Sequence, residues 1–445
     1  MIDLDRLIYP CMLLKPRFCI KIARPLLLPQ LFLIMLSLLA ASSSRCEPSA
    51  GIKDRGSRSF ISSTNSTPEF VKALVKNGAV VVESSDRTEL LSYRGDTPLI
   101  PASTIKLATA YCGLTELGSD YRFETVFFSG PSSTLYIKGS GDPSLVSETL
   151  DGIARDLARS LQRVERIVID NSFFADDIDI DGSASSLNPY DAKNSAFVAN
   201  YSSAALMRSR SGEVISAEQQ TPLTPISKQA GQRLSKGLTE RISLSTDWRV
   251  GARYGGELLG ALLTRHGVSG QMLVSLGNVP PNATAILRHH SPLSLEEIAR
   301  GMLKYSTNFT ANQIFLVLGA KKFGAPATVS KAQQAFTQCL ATHVGWTDFH
   351  VEEGSGLSRK TRVTAQQMTQ LLRVFDRYSH LLPERDGFLA KTGTLRGVNT
   401  LAGYFDLGRT LGQARFCILV NSDVAPAYKF KVAAELRHYL KNIHN

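Results

Sequence analysis

Histidine is scarce in this chain of 445 residues. There are eight, with no His-Glu-x-x-His pattern and no cluster at ligand spacing, so a metal centre has no donor set. Cysteine is scarcer still. Of the six, Cys11 and Cys19 lie in a leader-like stretch, and the remaining Cys46, Cys112, Cys339 and Cys417 do not make a disulfide scaffold. Cys112 falls on an apolar helical stretch and Cys417 in the strand-like run 415–420, so buried free thiols are expected. One disulfide stays open in an oxidising compartment. No basic run is interleaved with aromatics, which argues against nucleic acid as a partner. Internal repeats are missing too. A single apolar stretch, 26–41, approaches membrane length, and Pro29 breaks it.

What is there is an ordinary globular composition, 43% hydrophobic and 20% charged, on a chain long enough for two domains. The net charge of +11 is partly an effect of residues 1–45, which hold six Lys and Arg against two Asp. The mildly basic remainder suits anionic envelope polymers or phospholipid heads, hence peripheral association with membrane or wall; a solvated surface without a role explains the same charge. Lys15, Arg17, Lys21 and Arg24 precede the apolar stretch, and Ser42, Ser43 and Ser44 follow it, the order of an export signal cleaved near residue 44. An uncleaved anchor and a later start at Met12 are the alternatives. Arg45 stands where lipid attachment at Cys46 would need a small residue.

Residues 45–66, rich in Ser, Gly and Arg, read as a linker. Beyond them a helix is expected at 69–76, a hairpin at 79–83 and 89–93, and a mostly apolar helix from Ser103 onward. Strands are suggested at 122–128, 134–138, 166–170 and 241–245, with an amphipathic helix at 150–164; 202–238 shows no strong period. Helical periodicity returns at 255–266, 294–305, 308–318, 328–343 and 364–378. Strands at 400–406 and 415–421 and a helix at 428–442 close the chain. The fold class is α+β: an antiparallel sheet built from both chain ends, packed on helices, with a β-rich insertion. The expected division is 67–124 with 288–445 as one domain and 125–287 as the inserted one.

Three short patterns carry chemistry. Ser103-Thr104-Ile105-Lys106 places an amine one helical turn from a hydroxyl, and burial in an apolar helix would lower the amine's pKa until it can act as a base. Taken alone, such a match is usually a helix cap with a solvated lysine. Ser306-Thr307-Asn308 offers a second hydroxyl for proton relay and an amide to hold Lys106 and the substrate backbone; a cap is again the bland reading. In Lys391-Thr392-Gly393-Thr394 an edge strand would present Lys391 and the hydroxyls of Thr392 and Thr394 to a carboxylate, with Gly393 letting a substrate backbone approach. The amides of Thr394 and Ser103 would form an oxyanion hole. Singly each pattern is weak; in this order they specify serine acyl transfer without metal or cofactor.

The chain resembles the D-alanyl-D-alanine carboxypeptidase/endopeptidases of the penicillin-binding protein 4 type, peptidase family S13. The likeness runs through PLIPASTIKLATAYCGL, GSDYRFET, KGSGDPSL, VIDNSFF, NPYDAKNSAFVAN, EGSGLSR and KTGTLRGVNTLAGY. It implies a penicillin-binding-protein/β-lactamase-like fold, a periplasmic enzyme, peptidoglycan stem peptides as substrate and β-lactams as inhibitors. It implies Ser103 as the acylated nucleophile, Lys106 as general base, Ser306 and Asn308 as the second element, and Lys391, Thr392, Gly393 and Thr394 as carboxylate binders. Asp142 is read as structural, in a turn built by Gly139, Gly141 and Pro143. Only 199 residues separate Lys106 from Ser306, so a third domain found in some relatives is expected to be missing or reduced. Asn312 stands where the family often has Glu, and Glu353 where it often has Asp. No oligomeric state follows from these features.

Two other readings compete. A serine β-lactamase shares the acylation groups, but the chain has no Glu-x-x-Leu-Asn to supply a deacylating carboxylate, and Ser306 replaces the tyrosine of Tyr-x-Asn. A penicillin sensor or non-catalytic wall binder would be acylated without turnover, and would want a firm anchor and a signalling domain.

Overall fold

The computed structural model describes residues 67–409 and 411–444; the expected leader and linker lie outside them. Both ends of the described chain meet in one antiparallel sheet of six strands. Its order is Glu384–Arg385, Phe388–Leu395, Val398–Asp406, Gln413–Val420, Gly78–Glu83, Glu89–Tyr93. The central strands read as unbroken apolar runs because both faces are covered. Alternation sorts their side chains: Ala79, Val81, Ala402, Tyr404, Cys417 and Leu419 face one core, while Val80, Val82, Leu401, Phe405, Phe416 and Ile418 face the other. The second core is closed by helix Tyr428–His444 through Val432, Ala433, Leu436 and Leu440, with Val71 of the short helix Glu69–Leu74 beside it.

Five helices pack on the first face: Lys106–Leu117, Leu295–Tyr305, Asn308–Phe323, Val329–Val344 and Ala365–Phe375. Lys106–Leu117 and Asn308–Phe323 are apolar nearly all round, as helices inside a layer must be. Leu295–Tyr305 starts with a capping box in which Ser294 Oγ accepts from the Glu297 amide and Glu297 returns the contact. Cys112 and Cys339 form a disulfide between two of these helices, Cα–Cα 5.9 Å, which corrects the expectation of a free thiol at Cys112 and is the one disulfide that the sequence left open. They are 227 residues apart, so only the packing of the two helices pairs them. Cys417 is free and buried.

Between Phe123 and Ser291 the chain leaves this body and returns. The Ser291 amide donates to the Phe123 carbonyl at 2.8 Å and Leu295 N to Tyr121 O at 2.8 Å, which closes the neck. The excursion builds a five-stranded sheet in the order Thr284–His290, Glu124–Gly130, Thr134–Gly139, Arg166–Asp170, Leu273–Leu276, covered by helices Ser147–Leu157 and Trp248–Arg265 over a core of its own. Strands Ser203–Arg208 and Val214–Ser216, inside the polar stretch that periodicity left open, join Thr239–Ser243, which overlaps the strand expected at 241–245, in a further small sheet.

The helix expected at 150–164 ends earlier, at Leu157. There the Ser160 hydroxyl donates to the Leu157 carbonyl at 3.2 Å alongside the Ser160 amide at 3.0 Å, a local side-chain bond of the kind that competes with helix continuation. Val164 then turns its amide to Ser269 O at 2.8 Å and leads into the next strand.

Candidate active site

Ser103 lies in a single 3-10 turn, Ala102–Ile105, and the α-helix proper starts at Lys106, three residues later than the sequence suggests. The turn matters because residues i and i+3 eclipse in 3-10 geometry, which stacks Lys106 over Ser103. Thr104 Oγ1 donates to the Pro101 carbonyl at 2.7 Å and fixes the turn, while Ala102 sits at φ +48°, a conformation that costs an L-residue energy and marks an over-determined loop.

Lys106 is wholly buried, and its Nζ lies 2.9 Å from Ser103 Oγ, 2.8 Å from Asn308 Oδ1 and 2.6 Å from the Ser355 carbonyl. Burial brings its pKa down to about 7, and the charge of Glu353 acts the other way. The amine therefore reaches its neutral, proton-accepting form near physiological pH.

Glu353, also fully buried, organises the loop that contributes the Ser355 carbonyl. Its carboxylate accepts from Ser355 N at 2.7 Å, Ser355 Oγ at 2.6 Å and Ser358 N at 3.1 Å. Asn312 Oδ1 accepts from Gly354 N at 2.9 Å, and Thr109 Oγ1 donates to Gly354 O at 2.6 Å, so the two central helices grip the loop from both sides. Gly356, at φ +80°, passes so close to Ala102 that a Cβ would stand 2.1 Å from its carbonyl oxygen.

Ser306 caps helix Leu295–Tyr305 in the left-handed conformation, φ 59°, and Asn308 opens the next helix. The sharp turn between the helices aims Ser306 Oγ at Lys391, whose Nζ donates to it at 2.8 Å and to the Thr392 carbonyl at 2.8 Å. Both residues begin or end helices, as the bland reading had it, and both also touch the site lysines. Lys391 is nearly fully buried, and burial together with the charges of Lys106, Lys429 and Arg385 holds its pKa well below the usual lysine value.

Strand Phe388–Leu395 has an open edge beyond the two-residue strand Glu384–Arg385, which pairs only with Phe388 and Leu389. Gly393 is required there for a reason the sequence did not indicate. It packs against the nucleophile's own backbone: a Cβ would lie 3.0 Å from Ser103 N and 2.8 Å from Pro101 O. Thr394 is exposed at the open side. Beside Asn308 a small recess is walled by Tyr190, Lys193 and Asn194 of the excursion and floored by Phe309 and Leu357.

The structure thus gathers Ser103, Lys106, Ser306, Asn308 and the strand 391–394 into one site. Sequence reasoning gave no site role to three contributors. Ser355 and Glu353 stand in the EGSGLSR stretch noted above, so that stretch was their signal. Lys429, which donates to Gly393 O at 2.7 Å, has none. Asp142 is buried and accepts from the Ser144 amide and hydroxyl, a turn-holding arrangement, and burial raises its pKa to about 6.

The chain is similar to known proteins in sequence and in fold. The model of the D-Ala-D-Ala carboxypeptidase 3 (S13) family matches residues 68–235 and 235–383. A D-alanyl-D-alanine carboxypeptidase of Actinomadura sp. (strain R39) is 26% identical over an alignment of 471 positions that covers 89% of this chain and 86% of the relative. Penicillin binding protein 4 from Haemophilus influenzae has a similar fold, TM-score 0.69 at 20% identity, over 83% of this chain and 99% of that one. A structure of the same protein complexed with a β-lactam gives a TM-score of 0.64.

Proposed function

Because the chain belongs to the D-Ala-D-Ala carboxypeptidase 3 (S13) family, we propose that it cleaves the terminal D-Ala-D-Ala bond of peptidoglycan stem peptides, and the equivalent bond in cross-links, through an acyl-enzyme on Ser103. The observation that carries this reading is the contact between Ser103 Oγ and a fully buried Lys106 with a pKa of about 7.

In the neutral form the Lys106 amine takes the Ser103 proton as Oγ attacks the carbonyl carbon of the penultimate D-alanine. The amides of Ser103 and Thr394 stabilise the oxyanion. Ser306, hydrogen-bonded to Lys391, hands a proton to the nitrogen of the departing D-alanine as the C–N bond breaks, and is reprotonated through the lysines. Lys391 and the hydroxyls of Thr392 and Thr394 hold the substrate carboxylate; an anion there also restores the proton that Lys391 is disposed to lose. Asn308 holds Lys106 in line and faces the substrate backbone. Water then cleaves the ester, with Lys106 again as base. A β-lactam forms the same ester, but its leaving group stays tethered and blocks the water.

A periplasmic location goes with this reading. Its supports are the basic-then-apolar leader, the polymeric substrate class and the disulfide Cys112–Cys339, which an oxidising compartment sustains. Peripheral binding to membrane or wall through the basic surface is part of the same proposal.

The test is intact mass after brief exposure to benzylpenicillin, with parallel digestion of monomeric and cross-linked muropeptides. A lasting adduct on Ser103, lost in Ser103→Ala, together with muropeptide hydrolysis is the expected result. Rapid release of hydrolysed drug would overturn it in favour of a β-lactamase, and an adduct without muropeptide turnover in favour of a sensor. An adduct retained in Ser103→Ala would overturn the site.

A further inference from the structure

Helix Tyr428–His444 begins directly behind the strand that carries Thr394. Asn399, the register partner of Thr394 on the neighbouring strand, pins that helix start: its Oδ1 accepts from Lys429 N at 3.1 Å and its Nδ2 donates to Ala425 O at 3.1 Å. So anchored, the Lys429 side chain runs back beneath the strand. Its Nζ donates to Gly393 O at 2.7 Å and to the Thr394 hydroxyl. Lys429 is 3% exposed, whereas Thr394 faces solvent.

This is an unusual place for a lysine. The charged groups that interact with it are Arg385 on the short edge strand and Lys391 on the same strand as Thr394, both cationic. Among the described residues no carboxylate lies within 4.0 Å of the Nζ of Lys106, Lys391 or Lys429. A buried cluster of like charge is costly unless an anion completes it. A hydroxyl has one proton to donate and two lone pairs to accept with. With Lys429 occupying an acceptor side of Thr394 Oγ1 from behind, the hydroxyl proton is left for a group at the open face, and the contact polarises it.

Resting on the function proposed above, we infer that Lys429 is a positioning residue for the substrate's terminal carboxylate: it orients the Thr394 hydroxyl as a donor and supplies that subsite with a second buried cation besides Lys391. The chain thereby selects substrates that end in a free acid. Burial brings Lys429 to a pKa of about 8, so this help fades in alkaline solution.

The experiment compares second-order acylation by benzylpenicillin and by its methyl ester, for the full chain and for Lys429→Met and Lys429→Arg. In Lys429→Met the acid-to-ester rate ratio should fall about tenfold, the loss of one charge-assisted contact. Lys429→Arg should recover most of that ratio. The alkaline decline of acylation by the free acid, setting in near pH 8, should vanish in Lys429→Met and move upward in Lys429→Arg. Equal losses on acid and ester, or an unchanged ratio with the alkaline decline intact, would overturn the inference and leave the proposed function standing. A wild-type chain that neither drug acylates would overturn both.

Discussion

Gly393 and Ser103 touch through their backbones. The strand and the nucleophile's turn approach so closely that a Cβ on residue 393 would stand 3.0 Å from the Ser103 amide nitrogen, 2.8 Å from Pro101 O and 2.2 Å from Thr400 Oγ1. Thr400 Oγ1 itself donates to Pro101 O at 2.7 Å, so one threonine ties strand and turn together at the crowded point. Gly393→Ala should push the turn away from the strand and widen the oxyanion hole. Acylation by benzylpenicillin should fall about a hundredfold, the cost of a displacement near 1 Å in an active site. Stopped-flow acylation rates, with Tm measured alongside, check it; a rate within twofold of the wild type would contradict the contact.

Lys106 acts as base only when neutral, so acylation by the methyl ester of benzylpenicillin, which lacks the carboxylate that Lys429 serves, should rise with pH through about 7 and then level. Glu353 raises that pKa by its charge, so Glu353→Gln should move the rise to lower pH. A purely structural loss would lower the plateau and leave the midpoint in place. Lys106→Arg should abolish acylation, since a guanidinium does not give up its proton near neutrality.

The same shift bears on stability. Folding lowers the Lys106 pKa from 10.5 to about 7, so below pH 7 both states hold the proton and the burial penalty is complete. As pH rises from 7 towards 10.5 the unfolded chain keeps a proton that the folded one has lost, and that penalty is relieved. Relative to Lys106→Met, the wild type should therefore gain up to about 3 kcal/mol between pH 6 and pH 9. Urea unfolding at the two pH values reads this difference; a gap that stays constant would show that Lys106 titrates elsewhere.

The disulfide Cys112–Cys339 joins the helix that follows the nucleophile to a helix on the outer side of the layer. Replacing both cysteines by alanine should cost about 2–4 kcal/mol and lower Tm, while acylation at low temperature persists because neither sulfur reaches the reacting atoms. Non-reducing peptide mapping should recover the two segments as one species and Cys417 as a free thiol. Recovery of Cys112 and Cys339 as separate thiols from oxidised protein would contradict the pairing.

The local parts of this protein are legible in its sequence because their physics is local. Hairpin 79–93 and the closing strands show as short apolar runs bounded by turn residues, and the spacing of Ser103 and Lys106 already says that hydroxyl and amine share one turn. The order of the three patterns, with the S13-like stretches around them, points to the chemistry. Tertiary structure decided the rest. Lys106 meets Asn308 across 202 residues and the Ser355 carbonyl across 249, and Lys429 reaches Thr394 from a different element 35 residues on. No periodicity records such contacts, since they depend on how finished helices and strands pack. The pairing of Cys112 with Cys339 arises in the same way. So does the pKa of Lys106, because desolvation belongs to the assembled core and not to any stretch of chain.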